Sequence, residues 1–60
     1  MTYYEMKDAI INALANKDDW EVRHLFSLDG RWFEDIIEEL ETEMEFSEDT
    51  KTRIRRAKEV

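Results

Sequence analysis

Cysteine and proline are absent from this 60-residue chain, glycine occurs only at Gly30, and His24 is the only histidine. Each absence removes a class of structure. Without cysteine there is no disulfide, and one histidine alone cannot build a structural zinc site. Without proline, and with one glycine, little interrupts long helices. No apolar run approaches the roughly 18 residues that a membrane span needs, so no membrane partner is expected. The opening Met1-Thr2-Tyr3-Tyr4-Glu5 lacks the basic and apolar regions of a signal peptide, which makes the cytoplasm the expected location.

A chain this short buries a small fraction of its surface. Its stability must come from an efficient helical core, from oligomerisation or from a bound partner. The two Trp, three Phe and two Tyr make it too hydrophobic for a disordered acidic tail. Its formal net charge of −7 opposes non-specific binding to nucleic acid or anionic membrane and favours basic protein surfaces.

The apolar spacing predicts a single all-α domain over residues 1–60, a small bundle of three or four short helices at about 3–15, 19–28, 31–45 and 48–59. Thr2 and Glu5 form a capping-box pattern ahead of a face made by Tyr3, Met6, Ile10, Ala13 and Leu14, and Asn16 suits the helix end. Asp18 or Asp19 can cap a second helix through Val22, Leu25, Phe26 and Leu28. The same stretch also permits a strand, since Val22, His24, Phe26 and Leu28 alternate before the hairpin signal Asp29-Gly30. Helix is the preferred reading, because the residues after Gly30 take up helical period at once. Phe33, Ile36, Ile37, Leu40 and Met44 then form a narrow stripe capped by Asp29, with Glu34 and Asp35 expected near the positive helix start. Ser47 caps a fourth helix with a thin apolar face of Ile54, Ala57 and Val60.

Charge is the most informative pattern. From Glu34 to Asp49 there are nine carboxylates and no basic residue, and then come Lys51, Arg53, Arg55, Arg56 and Lys58 before any further acid. Glu34, Glu38, Glu41 and Glu45 line one flank of the third helix, climbing in steps of roughly 4.5 to 6 Å. Like charges such as Glu34/Glu38 and Glu41/Glu45 each cost on the order of 0.2 to 0.5 kcal/mol. A helix that accepts this cost points mildly to function. The competing explanation is internal. With a connection as short as Phe46-Ser47, the last two helices would form an antiparallel hairpin, setting Lys51, Arg55 and Lys58 beside Glu38, Glu41 and Glu45.

Catalysis has little support. His24 and Ser27 match no nucleophile motif, and carboxylates on an exposed helix lack the burial that tunes an acid or base. The chain is read as a non-enzyme, and no cofactor or metal is expected. Asp29-Gly30 lacks the spaced ligands of a calcium loop. Arg53, Arg55 and Arg56 offer an alternative nucleic-acid contact, but the acidic neighbouring helix would repel a duplex and no aromatic residue interleaves with them.

In size, acidity and lack of cysteine the chain resembles the small helical regulators with which phages and bacterial operons block a host enzyme. That resemblance implies a regulator or inhibitor, a viral protein among the options. The expectation is a protein-interaction module that docks on a basic partner surface, with nucleic-acid mimicry as one version. Glu34, Glu38, Glu41 and Glu45 would supply complementary charge, and Trp32, Tyr4 and Ile11, which border the core faces, would supply apolar anchors. The alternatives are the nucleic-acid binder and a structural subunit that homodimerises.

Overall fold

In the computed structural model, which describes residues 1–59, the chain forms four helices: α1 (Tyr3–Ala15), α2 (Asp19–Leu28), α3 (Gly30–Glu43) and α4 (Glu48–Lys58). Val60, assigned to the apolar face of the last helix from sequence, lies outside the described residues. Residues 18 to 30 contain no strand, and the Asp29-Gly30 pair opens α3 instead of turning a hairpin.

Side chains cap every helix start. Thr2 and Glu5 complete their capping box at α1, the Asp18 carboxylate accepts from the Glu21 amide at 3.1 Å, Asp29 accepts from Trp32 at 3.1 Å, and Ser47 accepts from Thr50 at 3.1 Å. Each cap satisfies an amide that the helix cannot. The end of α1 is closed by a Schellman motif. Asp18 donates its amide to the Ala13 carbonyl at 2.9 Å and Lys17 to Leu14 at 3.2 Å. Lys17 itself takes the left-handed conformation, with φ 56°, where glycine is customary.

The glycine is used elsewhere. A Cβ on Gly30 would lie 3.3 Å from the Phe26 ring, so the missing side chain lets Phe26 pack down and meet Phe33 edge to face at 5.4 Å.

Met6, Ile10, Val22, Leu25, Phe33, Ile36 and Leu40 are fully buried, joined by Ala13, Ile37, Ile54 and Ala57. Each large side chain so buried contributes roughly 1.5 to 3 kcal/mol. No buried side-chain polar atom among the described residues lacks a hydrogen-bond partner.

Sequence expectations change in two regions. First, α3 stops at Glu43, not Glu45, and Met44 is already extended. With no basic residue in its last turn to favour the negative helix end, the helix gives way there. The extended connection turns Phe46 inward, to 8% exposure, and leaves Met44 at 44%. Glu34 and Asp35 also fall beyond the first turn of α3, outside the reach of its positive end. Second, α4 packs principally on α2, so the last two helices are not the closely paired hairpin that their short connection suggested. Leaning on α2 lets the thin face of Ile54 and Ala57 join the shared core. The remaining boundary differences, Gly30 for 31 and Lys58 for 59, are single residues.

Candidate protein-docking face

The fate of each acid on α3 depends on which neighbour it faces. Toward α1, Lys7 donates to Glu39 at 2.8 Å and to Glu43 at 3.0 Å, and the Tyr3 hydroxyl donates to the other oxygen of Glu39 at 2.7 Å. The Lys7 ammonium and then the Tyr3 hydroxyl hold the Glu39 carboxyl below the usual carboxylate range, while the bond to Glu39 pushes Tyr3 up. Lys7 is likewise raised by its two carboxylate partners, Glu39 before Glu43. At the start of α3, Glu34 meets Lys58 at 2.8 Å.

On the outward side Asp35, Glu38, Glu41 and Glu45 are exposed, and no ion pair engages them among the described residues. Among the described residues, Lys58 is the one member of the basic block that forms an ion pair with α3. Lys51 pairs within its own helix with Glu48 at 3.5 Å, and Arg53 binds Asp19 and Asp49. Glu41 shares a shallow depression with Lys51, Arg55 and Lys58 without closing to ion-pair distance. The expected pairing of Lys51, Arg55 and Lys58 with Glu38, Glu41 and Glu45 is therefore not made.

An apolar trough of about 310 Å³ opens beside this stripe. Ile11 and Leu14 of α1, Leu40 and Met44 at the end of α3, and Phe46 of the connection line it, with Glu45 at its edge. A neighbouring concavity of about 320 Å³ shares Met44, Glu45 and Phe46 and adds Glu41 and Lys51.

The anchors expected from sequence divide between two ends of the molecule. Ile11 sits in the trough with Glu45, and Glu41 lines the adjoining concavity. Trp32 is about 18 Å away along α3, judged from the rise per residue to Met44. There it packs edge to face on Tyr3 at 5.7 Å, half-buried, and borders a hollow with Met1, Met6 and Leu28. Tyr4 stands on the other side of Tyr3, 77% exposed. Glu34 is occupied by Lys58. The assembled face thus comprises Glu41, Glu45 and Ile11; Glu38 is exposed on α3 but borders neither concavity, and Tyr4 and Trp32 lie apart.

For the alternative contact, the Arg53 side chain is only 13% exposed and its guanidinium is spent on Asp19, Asp49 and the Lys17 carbonyl. Arg55 and Arg56 are exposed.

Three features escape sequence reasoning. Phe46 belongs to no helical stripe, although an aromatic residue just before a helix cap is itself a signal. Lys7 sits apart from the basic block. Trp20, 71% exposed, stacks on His24 at 5.2 Å and 9°, a pair that their four-residue spacing on one helix face would have flagged. No protein-family model, curated protein or solved structure matches the chain. No described helix is long and apolar enough to cross a membrane.

Proposed function

We propose that this protein is an acidic helical interaction module, a regulator or inhibitor that sets the outer stripe of α3 against a basic surface of a partner protein. One observation carries the reading. After Lys7 and Lys58 have engaged the acids within their reach, Asp35, Glu38, Glu41 and Glu45 stay exposed without an ion-pair partner among the described residues. Such a stripe costs helix stability, and within the fold Glu41 alone of these four shares a depression with cations, Lys51, Arg55 and Lys58, without an ion pair among the described residues. What the stripe returns is encounter rate and orientation with a cationic partner. Inhibition follows if the covered surface is one the partner needs, as when spaced carboxylates stand in for phosphates. Catalysis and cofactor binding form no part of the proposal, and cytoplasmic residence is the compartment it assumes.

Capture from a native host extract, read by mass spectrometry, tests it. Wild-type protein should retain a basic partner at low salt and release it as salt rises. Glu38→Lys with Glu41→Lys should reduce capture at least tenfold, and equal capture by that variant would sink the electrostatic model.

A further inference from the structure

The trough beside the stripe carries the reading to a kind of partner. Three observations meet there. Its wall is apolar, formed by Ile11, Leu14, Leu40, Met44 and Phe46. Its position is electronegative: Leu14 and Met44 bring the C-terminal ends of α1 and α3 to it, and neither helix has a basic residue in its last turn. The Schellman motif already satisfies the Ala13 and Leu14 carbonyls and Lys17 follows α1, so what the two ends bring is the negative pole of the macrodipole, least offset at α3. Glu41 and Glu45 stand at its margin, and the positive start of α4, which also reaches the trough, is offset by Glu48 and Asp49 in its own first turn.

An apolar floor inside an anionic margin selects an apolar side chain flanked by cations. The walls given by α1 and α3 are helices whose backbone bonds are internal, and the extended connection from Met44 to Ser47 is too short to offer an edge to which a peptide strand could add. An occupant that keeps its backbone satisfied is a helix. At about 310 Å³ the trough lies at the lower limit of small-molecule pockets, roughly 300 to 1,000 Å³, and it is open outward. It suits side chains delivered on a partner's backbone better than an enclosed ligand.

We propose that the trough between the C-terminal ends of α1 and α3 seats a basic amphipathic helix of a partner protein, whose apolar side chains enter against Met44 and Phe46 while its lysines or arginines meet Glu45 and, beside it, Glu41. This rests on the reading that the acidic stripe faces a basic partner, and it adds that apolar contact, not charge alone, selects that partner.

The test uses two synthetic helical peptides of equal charge, one with leucines at i, i+3, i+4 and i+7 among lysines and arginines, the other with serines at those positions. Binding to the full chain is read by fluorescence anisotropy at physiological salt. The leucine peptide should bind at least tenfold more tightly than the serine peptide. Ala15→Trp, which fills the trough from an exposed position and deletes no core atom, should weaken the leucine peptide at least tenfold, as should Met44→Lys. Tyr4→Ser, at the other end, should leave it unchanged. Far-UV circular dichroism confirms that each variant stays folded. Equal binding of both peptides, still lost in Glu38→Lys with Glu41→Lys, would overturn the trough and leave the acidic-docking reading standing. Leucine-peptide binding that survives both Ala15→Trp and the charge reversals would overturn both.

Discussion

The two sides of α3 carry the same residue type and put it to opposite uses. Toward α1, Glu39 and Glu43 are clamped by Lys7 and Tyr3 across a seam closed below by Ile36 and Leu40. Where Lys7 does not reach, Glu38 and Glu41 face solvent, and past the helix end Met44 and Glu45 stand exposed at the trough shared with the end of α1. Glutamate stabilises or destabilises according to what lies opposite, and a helix read in isolation hides this. The seam accounts for the fold, and the open side is where a partner can act.

The largest expected effect separates the two sides by packing. Ile36→Ala, under the seam, should cost about 2 to 5 kcal/mol. A single core in so small a domain supplies about 3 to 5 kcal/mol, so the variant should be largely unfolded at 25 °C by circular dichroism. Met44→Ala, on the open side, should stay within about 0.5 kcal/mol of wild type. Comparable losses at both positions would dissolve the distinction.

The second contrast concerns charge. Lys7→Met should lower the melting temperature, whereas Arg55→Met should not, because Arg55 makes no ion pair among the described residues. The Glu39 carboxyl is depressed by Lys7 and then Tyr3. Its stabilising contribution is therefore full above the ordinary carboxyl value of about 4.3 and is lost as pH falls through the lower folded value. Lys7 and Tyr3 are both raised, so their contribution is full below about 10 and is lost as pH rises through their folded values. Melting temperatures between pH 2 and 7 should fall with acid in wild type and fall less in Lys7→Met. An identical acid dependence in the two proteins would remove the seam from the account.

The smallest effect has the opposite sign. Glu38→Lys alone relieves its i,i+4 repulsion with Glu34 and should raise stability by about 0.2 to 0.5 kcal/mol, a degree or so to a few degrees in Tm. Glu41→Lys, in contrast, would add a cation beside Lys51, Arg55 and Lys58 and forgo the gain. A stabilised fold that has lost its partner would mark the stripe as kept for binding. A lower Tm would mean that the stripe is compensated within the fold.

Much of the architecture is legible in the residues. All four starts follow from Thr2, Asp18, Asp29 and Ser47, because capping is local chemistry. The buried faces of α1 and α3 follow from period. What escaped depends on contacts between distant segments. The counter-ion of Glu39 lies 32 residues away, in a helix with no basic run to draw attention to it. Phe46 and the early end of α3 are linked, since one needs the other, and neither has a periodic signature. The separation of Tyr4 and Trp32 from Ile11 needed the relative placement of α1 and α3. The seat of α4 on α2 could not be read from a short connection, which fixes proximity at one end only.

Arg53 bears on how the molecule comes apart. It belongs to the last helix, yet it binds Asp19 at the start of α2 and the Lys17 carbonyl in the left-handed turn after α1. A late segment thereby fastens an early one, and α4, with only Ile54 and Ala57 in the core, is held by more than its own apolar face. Local opening of α4 would unpair Asp19 and uncover the α2 surface on which it lies. The basic segment is thus a latch across the α1–α2 turn instead of a free tail.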